Sequence, residues 1–227
     1  MGLKHHPRVV TNGLMVYLDA ANSRSYSGSG NTWYDLLGNR NFTLQNNPPF
    51  IANSAGGSIG FTAANSHSAS ALSLPYMSRW SIEVWHYFTG VNTGLWPTII
   101  TEAYPLNLNY NLGATTSNTT NTKLRVGHYP GGWRQTTEYS LIQNRWYHLM
   151  GSFDGTNINL YVDGILELST TDTGAPQSSG SGIYLMKMWN GTDYWGGLLN
   201  IVRFYNRALS AQEVLQNYNA TKKRYGL

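Results

Sequence analysis

The sequence predicts an all-β protein, an antiparallel sandwich of two sheets with one short helix near the C-terminus. Short runs rich in β-branched and aromatic residues alternate along the chain with turns rich in Gly, Asn, Ser and Asp, which is the pattern of many short strands. A length of 227 residues is normal for one β-sandwich, and a hydrophobic content of 41% suffices for its core. Neither an internal repeat nor a linker indicates a second domain.

The stretch 145–170, RWYHLMGSFDGTNINLYVDGILELST, predicts three consecutive antiparallel strands. The turns are expected at Asp154-Gly155 and Asp163-Gly164, because Gly adopts a positive φ without steric cost. For the second turn we predict a three-residue loop ending at Gly164, since it places apolar residues opposite one another. The predicted pairs are Leu160 with Leu166 and Ile158 with Leu168, whereas a two-residue loop would place Leu160 opposite Glu167.

Further strands are predicted wherever apolar and polar residues alternate. They lie at 13–19, 41–44, 58–61, 80–88, 98–102, 106–112, 123–129, 133–141, 183–188 and 198–205. One helix is predicted at Ala211–Asn219, because Ser210 and Glu213 have the spacing of a capping box. We expect Val214, Leu215 and Tyr218 to pack this helix against the sandwich.

The charges divide the chain into three parts. The net charge is +4, but the stretch Val9–Thr221 holds 10 basic and 11 acidic residues. The excess lies in an N-terminal arm, residues 1–10, and a basic tail, residues 222–227, which flank a single domain at 11–221. We expect at least one of these ends to dock on an acidic partner, through Lys4, His5, His6 and Arg8 or through Lys222, Lys223 and Arg224. So few charges, without interleaved aromatic residues, do not indicate a nucleic-acid partner.

Several classes of protein are excluded by what the sequence lacks. It has no cysteine, and therefore neither disulfides nor thiolate metal sites. The first ten residues, MGLKHHPRVV, have no apolar segment of the kind found in secretory signals, and no apolar run approaches membrane-spanning length. We therefore expect folding in a cytoplasm and no membrane partner.

Three blocks of sequence follow one another in the order found in a known family. The opening block is Gly13–Asn22 with Gly28-Ser29-Gly30, Thr32–Leu36 and Gly38-Asn39. The central block is Trp146-Tyr147-His148, Phe153-Asp154-Gly155 and Leu160–Gly164, and the closing block is Gly196-Gly197, Val202–Ser210 and Glu213-Val214. Together they resemble the concanavalin A-like lectin/glucanase superfamily, in particular the laminin-G-like domains of tailed-phage virion proteins. The resemblance implies a jelly-roll sandwich.

The acidic residues do not support glycoside hydrolysis. Retaining glycosidases need an acid and a nucleophile roughly 5 Å apart, and glucanases of this superfamily carry them close together on one strand. Here Glu83, Glu102 and Glu138 each stand alone, and the two closest acids, Asp163 and Glu167, flank a hairpin turn. We therefore expect a protein that is not an enzyme.

The sequence predicts no cofactor and no clustered metal ligands. His148 shares a strand face with Trp146, which we expect to be buried, and this favours a hydrogen-bonded structural histidine. Calcium stays open as a ligand, because relatives bind it through Asp and Asn oxygens. However, the acids that often follow the Gly-Gly-Ser-Ile-x-Phe block are replaced here by Thr62–Ser66. Asp19 and Asp35 are predicted to cap turns.

Two loops, YPGGWR at 129–134 and WNGTDYW at 189–195, place aromatic rings beside polar side chains. Sugar binding uses ring faces next to amide, carboxylate and guanidinium groups. The candidate carbohydrate-binding residues are therefore Trp133, Arg134, Trp189, Asn190, Asp193, Tyr194 and Trp195. The alternative, which we favour from sequence alone, is that these rings fill the core at strand ends or anchor a subunit interface.

The resemblance implies a non-enzymatic structural protein of a phage virion. The first hypothesis is a capsid decoration or cement protein, with a glycan-adhesion role if the aromatic loops bind sugar. A tail or neck appendage that acts as an adhesin is the second, and a free-standing carbohydrate-binding lectin is the alternative from another class. The expected partners are other virion proteins, further copies of this chain and host surface polysaccharide, and the expected location is the virion, assembled in the host cytoplasm.

Overall fold

The computed structural model describes residues 7–102, 107–114, 123–177, 180–189 and 191–227. They form two antiparallel sheets and one α-helix, so the predicted jelly-roll sandwich is confirmed. The strands are β1 Leu14–Asp19, β2 Thr32–Trp33, β3 Phe42–Gln45, β4 Phe50–Ile51, β5 Ser58–Phe61, β6 Ser68–Ala71, β7 Trp80–Asn92, β8 Thr98–Glu102, β9 Asn107–Ala114, β10 Lys123–Pro130, β11 Arg134–Gln135, β12 Tyr139–Ser140, β13 Arg145–Phe153, β14 Asn157–Val162, β15 Ile165–Thr171, β16 Ile183–Leu185 and β17 Trp195–Tyr205. Helix α1 spans Ala211–Thr221, and short 3-10 helices span Ala63–Asn65 and Lys222–Tyr225.

The strand order brings distant parts of the chain side by side. Sheet A has the order β15-β14-β13-β7-β17-β5-β4, with β1 also paired to β17. Sheet B has the order β11-β10-β9-β8-β16-β6-β3-β2, with β12 also paired to β10. The chain passes repeatedly from one sheet to the other, so loops that are far apart in sequence meet at the ends of the sandwich.

The main core lies between the two sheets, because alternate residues of each strand point inward. Ile82 and Val84 of β7 and Phe204 of β17 enter it from sheet A, and all three are fully buried. From sheet B, Tyr110 meets Phe204 edge to face with ring centroids 5.5 Å apart, and Phe42 stacks on it at 6.5 Å. Apolar contact between the two inner faces therefore holds the sandwich together.

Sheet A is also covered on its outer face, by the C-terminal segment. The Tyr225 ring stacks on the Trp85 indole with centroids 3.7 Å apart, and the Tyr218 ring stacks on the same indole at 5.8 Å. Val214 of α1 is buried against the same face. Residues 210–225 therefore form a third layer over sheet A.

A charged network lies beneath this third layer. The Glu83 carboxylate accepts hydrogen bonds from Arg203 Nη1 at 2.6 Å and from Asn217 Nδ2 at 2.8 Å, and pairs with His148 Nε2 at 3.0 Å. All four residues are fully buried. Burial alone would raise the pKa of the Glu83 carboxyl, but the Arg203 charge and the hydrogen bonds from His148 and Asn217 outweigh it and lower the pKa to about 2. Glu83 is therefore ionised in the folded protein, and the prediction of a structural, hydrogen-bonded His148 is confirmed.

The predicted register of the second hairpin is wrong. The turn is the two-residue loop Asp163-Gly164, with φ of 51° and 84°, and a bulge in the β14–β15 pairing then shifts the register by one residue. As a result Leu160 lies opposite Leu168 instead of Leu166, and Ile158 lies opposite Thr170 instead of Leu168. The bulge keeps Leu160 opposite an apolar residue although the turn has only two residues. The prediction compared two loop lengths without a bulge between Leu160 and Tyr161, so it did not include this register.

The expectation that Trp146 is buried holds only in part. Tyr147 faces the main core, while Trp146 lies half-buried on the outer face of sheet A, where its ring contacts Tyr225 and Tyr87. Trp146 and His148 share that face, as predicted.

The helix and its capping box are confirmed. Ser210 Oγ accepts the Glu213 N–H at 3.3 Å, and Glu213 Oε2 accepts the Ser210 N–H at 2.9 Å. Val214 and Tyr218 pack inward as expected, but Leu215 is largely exposed.

Both ends of the described chain dock on the sandwich. Arg224 Nη1 pairs with Asp19 Oδ1 at 2.7 Å, and Lys222 Nζ lies 5.1 Å from the centroid of the Tyr218 ring. Tyr225, directly after the three cations, stacks on Trp85, so this part of the basic tail packs on the domain. The Arg8 carbonyl accepts from Gln216 Nε2 at 2.7 Å, whereas Lys4, His5 and His6 lie outside the described residues.

The buried network predicts an acid-sensitive stability. Because the folded pKa of Glu83 lies below its ordinary 4.5, its contribution is fully present above pH 4.5 and is lost as the pH falls toward 2. A shift of this size corresponds to roughly 3 kcal/mol of the unfolding free energy. Glu83→Gln leaves Arg203 buried without a counter-charge, so it should cost about 3–5 kcal/mol at neutral pH and flatten the acid dependence. Urea denaturation from pH 2 to 7 measures both effects.

Glu138→Gln is the matched control. Glu138 forms partly exposed ion pairs with Arg125 and Lys123, so this change should alter stability by less than about 1 kcal/mol. Equal acid dependence in the wild type and in Glu83→Gln would show that Glu83 is not an ionised partner of Arg203.

Candidate functional site

A small groove opens on the outer face of sheet B, near the start of β8. It encloses about 100 Å³. Four polar residues on adjacent strands line it: Thr98, Asn111, Arg125 and Gln135. Two loops add the indoles of Trp96 and Trp133. We refer to this feature as the aromatic groove.

Strand alternation explains the polar floor of the aromatic groove. In β9, Tyr110 and Leu112 point into the core, so Asn111 and Gly113 face outward. A Cβ at position 113 would lie 3.0 Å from the methyl group of Thr98, so glycine keeps the floor open. The sequence of β9 therefore supplies core residues and groove residues in alternation.

Trp133 forms one wall of the aromatic groove, on the turn between β10 and β11. Its side chain is 44% exposed. The ring meets Tyr129 edge to face, with centroids 5.3 Å apart and an interplanar angle of 73°. This contact supports the indole while much of it stays open to solvent.

Trp96, on the loop between β7 and β8, supplies the second exposed indole and is 47% exposed. Its backbone N–H donates to Asp193 Oδ2 at 2.9 Å, and Asp193 is itself buried. Gly94 in the same loop has a φ of 77°, and a Cβ there would lie 1.8 Å from Asp193 Oδ1. The carboxylate therefore lies directly against this loop and holds Trp96 in place.

The structure does not bring the candidate rings Trp133, Trp189, Tyr194 and Trp195 together on one exposed surface. Trp195 is fully buried, and its Nε1–H donates to His86 Nε2 at 2.9 Å. Burial lowers the pKa of His86 to about 3, so this ring is neutral and can accept that hydrogen bond. Trp195 therefore fills the core at a strand end, as the alternative interpretation proposed, while Tyr194 is buried outside the core clusters with Lys187 Nζ 5.7 Å from its ring centroid.

The remaining predicted residues divide between the aromatic groove and its surroundings. Of the predicted set, Trp133 lines the groove, while Asp193 acts from below the Trp96 loop. Trp189 is 38% exposed but lies outside the lining, and the exposed Arg134 side chain lies 3.9 Å from Asp172. Asn190 lies outside the described residues.

Sequence reasoning missed Trp96 and Asn111. A signal existed for both. Trp96 stands in a turn-rich loop directly before Pro97, where a large aromatic residue has no strand face to join. Asn111 alternates with the apolar residues of β9, so a polar outer face could have been predicted there.

The charges near the aromatic groove are largely compensated. Arg125 Nη2 pairs with Glu138 Oε1 at 2.6 Å, and Lys123 Nζ pairs with Glu138 Oε2 at 2.9 Å. No carboxylate stands among the groove residues in the described parts of the chain. Glu102, at the end of β8, is buried and accepts the Asn109 N–H at 2.8 Å.

Clustered metal ligands are not found in the portion of the chain that the structure describes: no three His, Asp or Glu side chains lie together there. Asp35 accepts four backbone N–H groups, and Asp19 accepts that of Ala21 at 3.1 Å. Both aspartates therefore cap turns, as predicted.

Family membership follows from the sequence. Residues 60–215, more than half of the chain, match the family model described as the concanavalin A-like lectin/glucanases superfamily. The chain belongs to this superfamily. The matched range contains every residue of the aromatic groove, and concanavalin A-like domains carry lectin-like, carbohydrate-binding folds.

Several solved structures share the fold of this chain. Domain 4 of AbnA, an extracellular GH43 arabinanase from Geobacillus stearothermophilus in complex with arabinotriose, is 18% identical with a TM-score of 0.66, over 90% of this chain and 98% of that domain. The binding domain of Paraclostridial Mosquitocidal Protein 1 is 16% identical with a TM-score of 0.69, over 92% of this chain and 52% of that one. Trypanosoma rangeli sialidase is 14% identical with a TM-score of 0.62, over 92% and 33%.

These likenesses show the fold alone. The concanavalin A-like chain spans nearly all of the arabinanase domain, about half of the mosquitocidal binding domain and a third of the sialidase. A search of curated proteins found no match to the sequence. In the parts of the chain that the structure describes, no helix has the length and apolar character needed to cross a membrane.

The contact between Asp193 and Trp96 yields a prediction about loop order. Asp193→Ala should free the Trp96 N–H and loosen the loop, at a cost of about 1–3 kcal/mol in the unfolding free energy. Hydrogen exchange should become faster at residues 93–96 and stay unchanged in β13. Thr192→Ala is the comparison variant: it removes the Thr192 Oγ1 hydrogen bond to Asp193 Oδ1 at 3.1 Å but keeps the carboxylate and its bond to the Trp96 N–H, so it should have a smaller effect on exchange. Unchanged exchange in Asp193→Ala would mean that the loop does not depend on this hydrogen bond.

Proposed function

We propose that this chain is a non-enzymatic, glycan-binding component of a phage virion, and that it binds a sugar at the aromatic groove. The observation that carries the proposal is the pair of exposed indoles, Trp96 and Trp133, beside a floor of hydroxyl and amide groups. Sugars present apolar C–H faces and a rim of hydroxyls, which match ring faces and short polar side chains.

The size of the aromatic groove sets the mode of binding. A groove of about 100 Å³ is smaller than the ~300–1,000 Å³ of pockets that enclose a drug-sized ligand. It therefore engages part of a glycan and leaves the rest in solvent. A contact of this kind is weak, on the order of −4 kcal/mol for a millimolar Kd.

The non-enzymatic part of the proposal rests on the acidic residues. Glycoside cleavage needs two carboxyl groups on either side of the bond, roughly 5–10 Å apart. Glu83 is engaged beneath the C-terminal layer, and Glu102 accepts a backbone N–H. Glu138 pairs with the groove residue Arg125 and with Lys123, and does not itself line the groove. None of these three carboxylates lines the groove, so the site can bind a sugar without cleaving it.

The virion part of the proposal is supported by the opening and closing blocks, which resemble those of tailed-phage virion domains. In the folded chain the opening strand β1 pairs with the closing strand β17, so the two blocks form one structural unit. A weak site is useful where many copies act together, because avidity can raise the apparent affinity ~10²–10⁴-fold. We favour a capsid decoration protein over a tail or neck adhesin, with a free-standing lectin as the alternative.

Binding is tested with alanine variants on a glycan array carrying bacterial surface polysaccharides, followed by calorimetric titration of the best ligand. Trp96→Ala and Trp133→Ala should each reduce binding at least tenfold, about 1.4 kcal/mol, with melting temperatures close to the wild-type value. Trp189→Ala is the matched control, an exposed indole outside the groove lining, and should bind normally. Full binding by both groove variants would place any glycan site elsewhere.

The virion role is tested on purified particles. We expect the chain in stoichiometric, multi-copy amounts by quantitative mass spectrometry, and at the particle surface in a density map. The groove variants should assemble normally but adsorb to host cells more weakly. Recovery of the chain in the soluble fraction only, with none in the particles, would favour the free-standing lectin.

A further inference from the structure

Strand β15 is the edge of sheet A, and its outer side pairs with no strand in the described parts of the chain. It is seven residues long and exposed over most of its length. Ile165 and Leu166 at its start are large aliphatic residues, with Ile165 62% exposed. A long edge with exposed apolar side chains is a template for pairing with another strand.

The other sheet edges are protected by the protein itself. Sheet A ends at β4, and sheet B ends at β2, β11 and β12, all of them two-residue strands that offer little to pair with. The free side of β1 is covered by the loop at 35–39: the Leu36 N–H donates to the Tyr17 carbonyl at 2.9 Å, and Asn39 Nδ2 donates to the Met15 carbonyl at 3.1 Å. The edge at β15 is thus the long edge without such cover in the described structure.

The hydrogen-bond pattern shows which groups of β15 point outward. The Asp172 N–H donates to the Thr156 carbonyl at 2.7 Å, and Thr171 lies opposite Asn157. In an antiparallel pair this arrangement directs the N–H and C=O groups of Thr170 toward β14 and those of Ser169 and Thr171 away from it. Ser169 and Thr171 therefore present unpaired backbone donors and acceptors along the open edge.

We propose that a second copy of this chain pairs with β15 through an antiparallel two-fold contact centred on Ser169. The two-fold makes both copies use the same surface, so one strand supplies both sides of the interface. Ser169 lies opposite the same residue of the second copy, and Thr171 lies opposite Glu167.

The placement of the charged residue Glu167 is compatible with pairing between two copies of β15. Glu167 is the one ionisable residue of β15, and this register keeps the two copies of Glu167 apart, so no like charges oppose each other.

The apolar neighbours of the edge extend the contact. A Cβ at Gly164 would lie 3.1 Å from Leu215 Cδ1, so the exposed Leu215 of α1 lies beside the turn that leads into β15. Leu166 lies opposite Tyr161 on the outer face of sheet A, the face that α1 covers, so Leu166 and Leu215 form an apolar patch at one end of the edge, and the two-fold supplies a second patch at the other end. Such patches mark protein–protein contacts.

The test measures mass by light scattering during size-exclusion chromatography, across concentrations from low to high micromolar. The wild type should approach twice 25.3 kDa at high concentration. Ser169→Pro removes an outward N–H that the β14 pairing does not use, so the fold should persist while dimerisation weakens at least tenfold. Ser169→Ala is the matched control: it removes the Ser169 Oγ–Asn159 hydrogen bond but keeps the N–H, and should dimerise normally.

Hydrogen exchange of the wild-type protein gives a second readout that needs no variant. The amides of Ser169 and Thr171 should be protected at high concentration and exchange quickly on dilution, whereas that of Thr170 should be protected at both. A wild type that stays monomeric throughout, or dimers that Ser169→Pro leaves intact, would overturn the proposal. Concentration-independent exchange at Ser169 would overturn it as well.

Discussion

The ion pair between Glu83 and Arg203, closed off from water on the outer face of sheet A, determines how that sheet is covered. The two residues lie directly opposite each other on β7 and β17. Moving a charge out of water costs several kcal/mol, and the cost is offset only where each charge finds close partners. Here β13 contributes His148 and α1 contributes Asn217. The C-terminal segment is therefore part of the fold, because removing it would expose the pair and the aromatic rings that surround it.

This constraint distinguishes the covered outer face of sheet A from the outer face of sheet B, where we propose that a sugar binds. The outer face of sheet A around β7, β13 and β17 is occupied by Val214, Tyr218 and Tyr225. Among the residues that the structure describes, no such layer covers the aromatic groove on the outer face of sheet B, and Trp96 and Trp133 stay exposed. A ligand can therefore reach the indoles without any displacement of the C-terminal layer.

Much of the fold could be predicted because its signals are local. The Asp-Gly turns, the alternation in β7 and β9 and the capping box at Ser210 each lie within a few residues. The sequence left the outcome open where it depends on a partner far along the chain. Trp195 could be a sugar ligand or a core residue by its loop alone, and His86, more than a hundred residues earlier, decides it by accepting its N–H in the core. Tyr225 stood among cations, yet Trp85 supplies the surface on which it stacks.

The candidate site likewise contains residues that could be predicted from their own loop and residues that depend on a distant partner. Trp133 could be recognised from its own loop, since an aromatic residue between two glycines and an arginine has no strand to join. The function of Asp193 could not, because its carboxylate serves a backbone N–H on a loop roughly a hundred residues away. Burial and partner geometry, which the sequence does not display, turned a predicted sugar ligand into the support of a different indole.

The proposed dimer bears directly on how a weak site becomes useful. A two-fold axis that relates antiparallel edge strands runs perpendicular to the sheet, so each face of sheet A continues into the same face of the second copy. Sheet B of both copies then lies on one side, and both aromatic grooves open toward that side. Two sites that face one surface can engage it together, so the second contact forms at a high effective concentration. The same pairing would leave the C-terminal layers together on the opposite side, free to contact a particle while the grooves face outward.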